Sequence, residues 1–420
     1  MTLTKFAAAL LCCSLARVLC AQASQPVTGP TGFRWTGADA AVVWDDAAQG
    51  FQLWRLSLGD KPMWTDYPVP RALTQLKARN PESQDDYGSG KVIVTHDFGK
   101  LHLLWTEMLD CNDDNPKPCT LIIHQAEAGI GNGWRLSTSE IHDDGLVDSI
   151  LQVIMVDAQH GWMLLSGDPG AGQLPEEIAT TSDGATWKLT AAKDAPIGRN
   201  RPQLLMPRSA TEAWMTMVDY DDDAPPILMS HTNDGGRTWK ADKTFPGGPN
   251  ELRCVTYCMF DQLSRPDNEF HPGKECFEGI VEQRNGPPDY AVNAWKQVRY
   301  CTTPDGHQWE KPVALPQVLP AATPVADSRE ELPVFADRNL GFKETSRGVF
   351  ETTNGGMTWQ ESAPLDASSN FGKDLTVKQT AATGDKVLLL LSGPNDDTKN
   401  NKLLYSADRG TTWTTLRPQR

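Results

Sequence analysis

Apolar residues along this chain fall in short runs separated by Gly, Pro, Asn and Asp, the pattern of strands and turns. The runs group in fours. One group predicts strands at 203–207, 213–218, 227–230 and 238–241. The grouping recurs at 332–335, 340–344, 349–352 and 358–361, and again at 375–379, 387–391, 403–406 and 411–415. A less regular version lies at 33–35, 42–44, 51–56 and 63–65. The second run often opens on a small residue and an aromatic: Gly161-Trp162, Ala213-Trp214, Gly341-Phe342.

The last run of each group follows a repeated segment. Thr232-Asn233-Asp234-Gly235-Gly236-Arg237-Thr238-Trp239 recurs at 352–359, with Asn354, Gly356 and Trp359, and at 406–413, with Asp408, Gly410 and Trp413. Two copies are one residue shorter: 181–187, with Asp183, Gly184 and Trp187, and 303–309, with Asp305, Gly306 and Trp309. Degenerate copies end at Trp64 and Trp134. The consensus S/T-x-D-x-G-x-T-W, the box, reads as a hairpin turn. The Asp or Asn side chain folds back onto the following amides, and Gly takes the φ > 0 position. The Thr is expected to restart a strand, and the indole to bury against the next sheet. These residues are turn formers and not a catalytic set.

The closing tryptophans are spaced by 70, 53, 52, 70, 50 and 54 residues, so a unit is about 50 residues, the length of a propeller blade. The two long spacings hold insertions, the polar stretch 70–90 and one within 261–293. The expectation is an all-β, seven-bladed β-propeller with box hairpins. Six blades, with the first unit as an N-terminal extension, is the alternative.

Lys5, the apolar run 6–15 and Ala21-Gln22-Ala23 read as a signal peptide over 1–23, followed by one propeller domain over 24–420. That run is too short for a stable membrane anchor. Cleavage removes Lys5 and Arg17 and no acid, so 39 basic residues become 37 against 54 acidic, a net of −17. Such a surface excludes nucleic acid as a partner. A monomer, periplasmic or secreted, is expected. The six cysteines beyond the signal, Cys111, Cys119, Cys254, Cys258, Cys276 and Cys301, read as disulfides of an exported protein. Cys111 and Cys119 close a short loop and are the best pair; the pairing of the other four stays open. No C-x-x-C occurs and no His stands at ligand spacing, which argues against zinc.

With five full boxes, the chain resembles the Asp-box (BNR) propellers of the sialidase-like superfamily. In repeat style it is most similar to the photosystem II assembly-factor propellers. Phe335-Ala336-Asp337-Arg338-Asn339-Leu340-Gly341-Phe342 followed by the box at 352–359 carries this resemblance, as does Val156-Asp157-Ala158-Gln159-His160-Gly161-Trp162 followed by the box at 181–187. The resemblance implies seven blades and non-enzymatic binding of a protein partner through a basic face. This chain is acidic, so the partner does not carry over.

The enzymatic alternative is a sialidase-like glycoside hydrolase. In that class an arginine in Phe-Arg-Ile-Pro grips the substrate carboxylate; here Phe33-Arg34 continues as Trp35-Thr36. The chemistry further needs two more arginines, an Asp acid and a Tyr activated by a Glu. No tyrosine makes a convincing nucleophile. No G-x-S-x-G or H-E-x-x-H occurs. His96 and His102 flank a predicted hairpin and are expected to be solvated, and His231 and His307 to lie in surface turns. Loops between second and third strands, at 110–118, 166–176, 219–226, 283–291 and 392–401, are the better place for function. Several are acidic. Arg34, Asp113, Asp114, Asp219, Asp221 and Asp222 form the candidate ligand face. Calcium is weighed there but no loop has a calcium-binding spacing, so no cofactor is expected. The favoured reading is non-catalytic binding of a protein or glycan.

Overall fold

Each group of four apolar runs folds into one antiparallel sheet. The computed structural model describes residues 29–47, 50–59, 61–79, 91–109, 120–129, 133–142, 147, 149–167, 176–190, 200–219, 227–242, 276–282, 295–301, 308–311, 313–314, 334–337, 339–345, 348–354, 358–362, 365, 376–392 and 400–417. Among them are seven sheets, six of four strands and one of three, each a meander of consecutive strands. In chain order they span 32–66, 93–142, 149–189, 200–241, 276–314, 334–361 and 376–416, and are numbered sheet 1 to sheet 7.

The sheets stack face to face, which is the architecture of a β-propeller. First strands contact one another from sheet to sheet: β1 (Gly32–Gly37) meets β5 (Ile93–Asp97), β5 meets β9 (Ser149–Met155), and β24 (Thr376–Thr383) returns to β1. First strands therefore line the axis. Fourth strands such as β4 (Pro62–Asp66) are mostly exposed at the rim.

Burial on both faces explains the apolar runs. Every residue of β10 (Gly161–Ser166) is buried. Its Met163 and Leu165 enter the core between sheets 2 and 3, while Trp162 and Leu164 enter the core between sheets 3 and 4. Period-two alternation thus distributes one strand between two neighbouring layers. Other cores lie between sheets 7 and 1 (Phe33, Trp35, Leu388), 1 and 2 (Val42, Leu101, Trp105), and 6 and 7 (Phe342, Leu389).

Three features depart from the sequence reading. Fourth strands start after the box Trp, at Lys188, Lys240, Gln360 and Thr414, because the Thr before it is held by the box Asp or Asn and not by the ladder. The stretch 70–90 opens with a helix, α1 (Arg71–Arg79), whose Leu73 and Leu76 are buried in the core of sheets 1 and 2. Lastly, β9, β13 (Asn200–Pro207) and β24 carry bulges that drop Leu151, Gln203 and Lys378 from the ladder.

Candidate functional site

An antiparallel meander places the first-to-second and third-to-fourth turns at one end of the ring, and the second-to-third loops at the other. The boxes lie at the first end. There Asp183 Oδ1 accepts the N–H of Ala185 at 2.8 Å and of Thr186 at 2.7 Å. Asp234 accepts the N–H of Thr238 at 2.9 Å and its hydroxyl at 2.7 Å, and Asp408 binds Thr412 in the same way. The N–H donors of Thr186 and Ala185 hold the Asp183 carboxyl at about 2, and the Thr238 hydroxyl and N–H hold Asp234 at about 2. Asn354 keeps the design with the polarity of one bond reversed: its Oδ1 accepts from Thr358 N, and its Nδ2 donates to Thr358 Oγ1 at 2.8 Å. Gly184, Gly236 and Gly410 have φ of 72°, 83° and 89°. Asp305, Gly306 and Gly356 lie outside the described residues.

The box indoles bury against the preceding sheet, not the following one. Trp187 packs on sheet 2, Trp239 on sheet 3 and Trp413 on sheet 6. Three of them meet the aromatic that opens a second strand of that preceding sheet. Trp239 lies edge-on to Trp162, Trp309 to Trp214, and Trp413 to Phe342, with centroids 6.3, 6.3 and 5.8 Å apart. Trp359 is half-buried. At the joint of sheets 6 and 7 a polar contact is added: Arg409, within its box, donates from Nη2 to Asp337 Oδ2 at 2.7 Å.

Arg34 is buried, and its Nη2 donates to the Val94 carbonyl of β5 at 3.2 Å, joining the first strands of sheets 1 and 2. Glutamines do likewise elsewhere. Gln152 bonds both N–H and C=O of Leu205, and Gln379 both those of Phe33, linking sheets 3 to 4 and 7 to 1. Sequence reasoning missed this pair; a glutamine beside a bulge in an apolar run was the available signal. Arg55 sits on a third strand, β3 (Gly50–Leu58), Arg135 on the outer strand β8 (Arg135–His142), and Arg237 and Arg409 in boxes. Tyr405 is on the third strand β26 (Lys402–Ser406). None of these arginines, nor Tyr405, stands on a first strand as Arg34 does.

His96 and His102 are buried, contrary to the solvated role expected of them, because the hairpin they flank is sandwiched between sheets. Gln125 connects His102 to the box of sheet 3: its Nε2 lies 3.2 Å from His102 Nδ1 and donates to Gly184 O, while its Oε1 accepts from Trp187 Nε1 at 2.8 Å. Burial lowers the His102 pKa to about 4, so the ring is neutral at pH 7. His231 is half-buried, stacked on Trp214 and bonded to Glu212.

The candidate ligand face falls largely outside the described residues. Asp113, Asp114, Asp221 and Asp222 lie there, as do Cys111, Cys119, Cys254 and Cys258. Asp219 ends β14 (Ala213–Asp219), with Asn200 as its backbone partner. The backbone register sets Cys276 on β17 (Cys276–Glu282) opposite Cys301 on β18 (Trp295–Cys301). Among the described residues no helix is long and apolar enough to cross a membrane, and no cluster of metal-ligating side chains is formed.

No family model matches the chain, and no curated protein does. Among solved structures it is similar to an ulvan lyase, a polysaccharide lyase, at 10% identity over 93% of this chain and 97% of that one, with a TM-score of 0.49. An uncharacterized Listeria monocytogenes EGD-e protein is 9% identical over 93% and 94%, with a TM-score of 0.45. The β-propeller domain of the Trilobed protease from Pyrococcus furiosus is 10% identical over 78% and 83%, with a TM-score of 0.40. At these scores the sheets themselves, and not the likenesses, define the architecture.

Proposed function

We propose that the chain is an exported, seven-bladed Asp-box propeller that binds a protein or glycan, without catalysis, through the loops between second and third strands. The observation that carries this reading is the commitment of the ring's own chemistry to structure. The described box carboxylates are bonded to their own turns, and Arg34 is buried on Val94 O. The acidic loops between second and third strands are the binding segments this reading assigns, since loops on a rigid scaffold commonly carry function. The contact of Gln379 with Phe33 supports a ring closed between sheets 7 and 1. The register of β17 and β18 favours a disulfide between Cys276 and Cys301, in keeping with export.

The sialidase-like alternative would require Arg34 to leave its buried site. Two experiments separate the readings. Capture from the native host with the full protein as bait, compared with a variant carrying Asn at Asp219, Asp221, Asp222 and Asp223, should lose a partner in the variant. Retention of every partner counts against the loop face. Release of fluorophore from a sialoside, abolished by Arg34→Ala, would replace the binding reading by the hydrolytic one.

A further inference from the structure

We propose that the joint between sheets 3 and 4 holds a receptor for a guanidinium group, the side chain of an arginine presented by a protein partner. Two joints of the ring are built on one backbone plan. At the joint of sheets 6 and 7, Arg409 follows the box Asp408 and has φ of 54°. Its N–H donates to Asp385 O at 2.9 Å. Its guanidinium reaches Asp337 Oδ2 at 2.7 Å with Nη2 and Gly384 O at 3.2 Å with Nη1. A carboxylate and a carbonyl thus grip the two ends of the fork.

Sheets 3 and 4 repeat that frame. Gly235 follows the box Asp234, has φ of 78°, and its N–H donates to Thr211 O at 2.9 Å. Ala210 precedes Thr211 as Gly384 precedes Asp385. Asp157 holds its turn by the N–H of Gln159 and His160 at 2.7 and 2.8 Å, as Asp337 does by those of Asn339 and Leu340 at 2.8 Å each. Gly235 stands where Arg409 does, and His160 stands where Leu340 does. Beside this frame lies a cleft of about 350 Å³ whose lining includes His160, Thr180, Asp183, Lys188, Ala210 and Gly235. A β-carbon on Gly235 would meet only Ala210 O, at 3.8 Å, so the space is open to a larger group.

Asp183 and Lys188 line the cleft, and Asp157 adjoins it through His160. Asp157 Oδ2 lies 2.8 Å from His160 Nδ1 and, with two acceptor directions on each carboxylate oxygen, keeps one for a visiting N–H. The planar fork of a guanidinium matches a carboxylate beside a carbonyl better than an ammonium does. Lys188 lines the same cleft and opposes any cation, so its removal should tighten binding. The net charge of −15 favours encounter with basic partners.

The probe is acetyl-arginine amide, titrated into the labelled full-length protein and followed by amide and imidazole NMR. Saturable shifts are expected at Ala210, Gly235 and His160. Gly235→Arg, which supplies the group from within, should abolish them. Asp157→Asn should weaken binding by about tenfold, and Lys188→Ala should strengthen it. Absence of saturable shifts in the parent protein, or unchanged shifts in a folded Gly235→Arg, overturns the proposal. Should Gly235→Arg not fold, undiminished binding by Asp157→Asn overturns it equally. The cleft lies at the end of the ring opposite the second-to-third strand loops, so either result leaves the loop-face reading standing or falling on its own experiments.

Discussion

Trp239 meets Trp162 edge-on across the joint between sheets 3 and 4, with the rings inclined at 72°. Each indole comes from a different repeat unit, and neither repeat can bury its own without the other. Trp239→Ala should therefore cost about 3–5 kcal/mol in urea unfolding. A double-mutant cycle with Trp162→Ala should return a coupling of about 1 kcal/mol beyond the lost area. Additive losses would show that the two rings only share a core. Gly236→Ala is expected to harm the same joint, since its β-carbon would come within 3.0 Å of the Trp162 ring at a φ of 83°.

The box carboxylates set an acid limit. Asp183 and Asp234 titrate near 2 in the folded chain, below the ordinary 3.8. Their contribution is present above pH 4 and is lost as pH falls toward 2. Asp234→Asn should be tolerated with a small loss of thermal midpoint and a flatter acid limb, because Asn354 makes the equivalent turn in sheet 6. Asp234→Ala, which leaves the Thr238 N–H and hydroxyl without an acceptor, should lower the midpoint by several degrees. Equal midpoints for the two variants would contradict the turn assignment.

His102 predicts a second and separate pH dependence. Its folded pKa of about 4 lies below the unfolded 6.5, so the unfolded chain takes up the proton first as pH falls. Stability is full above pH 6.5 and declines down to pH 4, by at most roughly 3 kcal/mol. Glu127 pulls the ring toward protonation, while Lys100 and His96 oppose it, so none of these should be altered in the test. His102→Gln should flatten the profile between pH 6.5 and 4. A parent profile already flat there would refute the buried neutral ring.

Gln379 is expected to matter more than its polar character suggests. Removing its amide in Gln379→Ala leaves the N–H and C=O of Phe33 without those partners between sheets 7 and 1, a cost of about 1–3 kcal/mol. Hydrogen exchange at the Phe33 amide should accelerate selectively. Uniform acceleration throughout the chain would indicate general destabilisation instead.

Strands, turns and the tryptophan period were legible in the sequence because they are local. Gly161-Trp162 and the box at 181–187 announce a strand opening and a hairpin from neighbouring residues alone. The partner of each box indole was not legible, since Trp162 and Trp239 are joined by a packing relation between repeats. Polar residues misled for a related reason. His96 and His102 sit on strands whose two faces are both covered, where polarity does not mark a wet surface. The helix Arg71–Arg79 escaped notice because only Leu73 and Leu76 mark its apolar face within a polar stretch.

Among the described residues every sheet is a continuous piece of chain, and no strand is exchanged where sheet 7 returns to sheet 1. Described side chains make that contact: Gln379 on Phe33, Asn401 on the Pro30 carbonyl, Lys386 with Asp39. The joint of sheets 3 and 4 uses the same kind of contact, Gln152 on Leu205. Where the polypeptide enters the circle is thus a matter of synthesis order, and a circular permutant beginning at another sheet should close into the same ring.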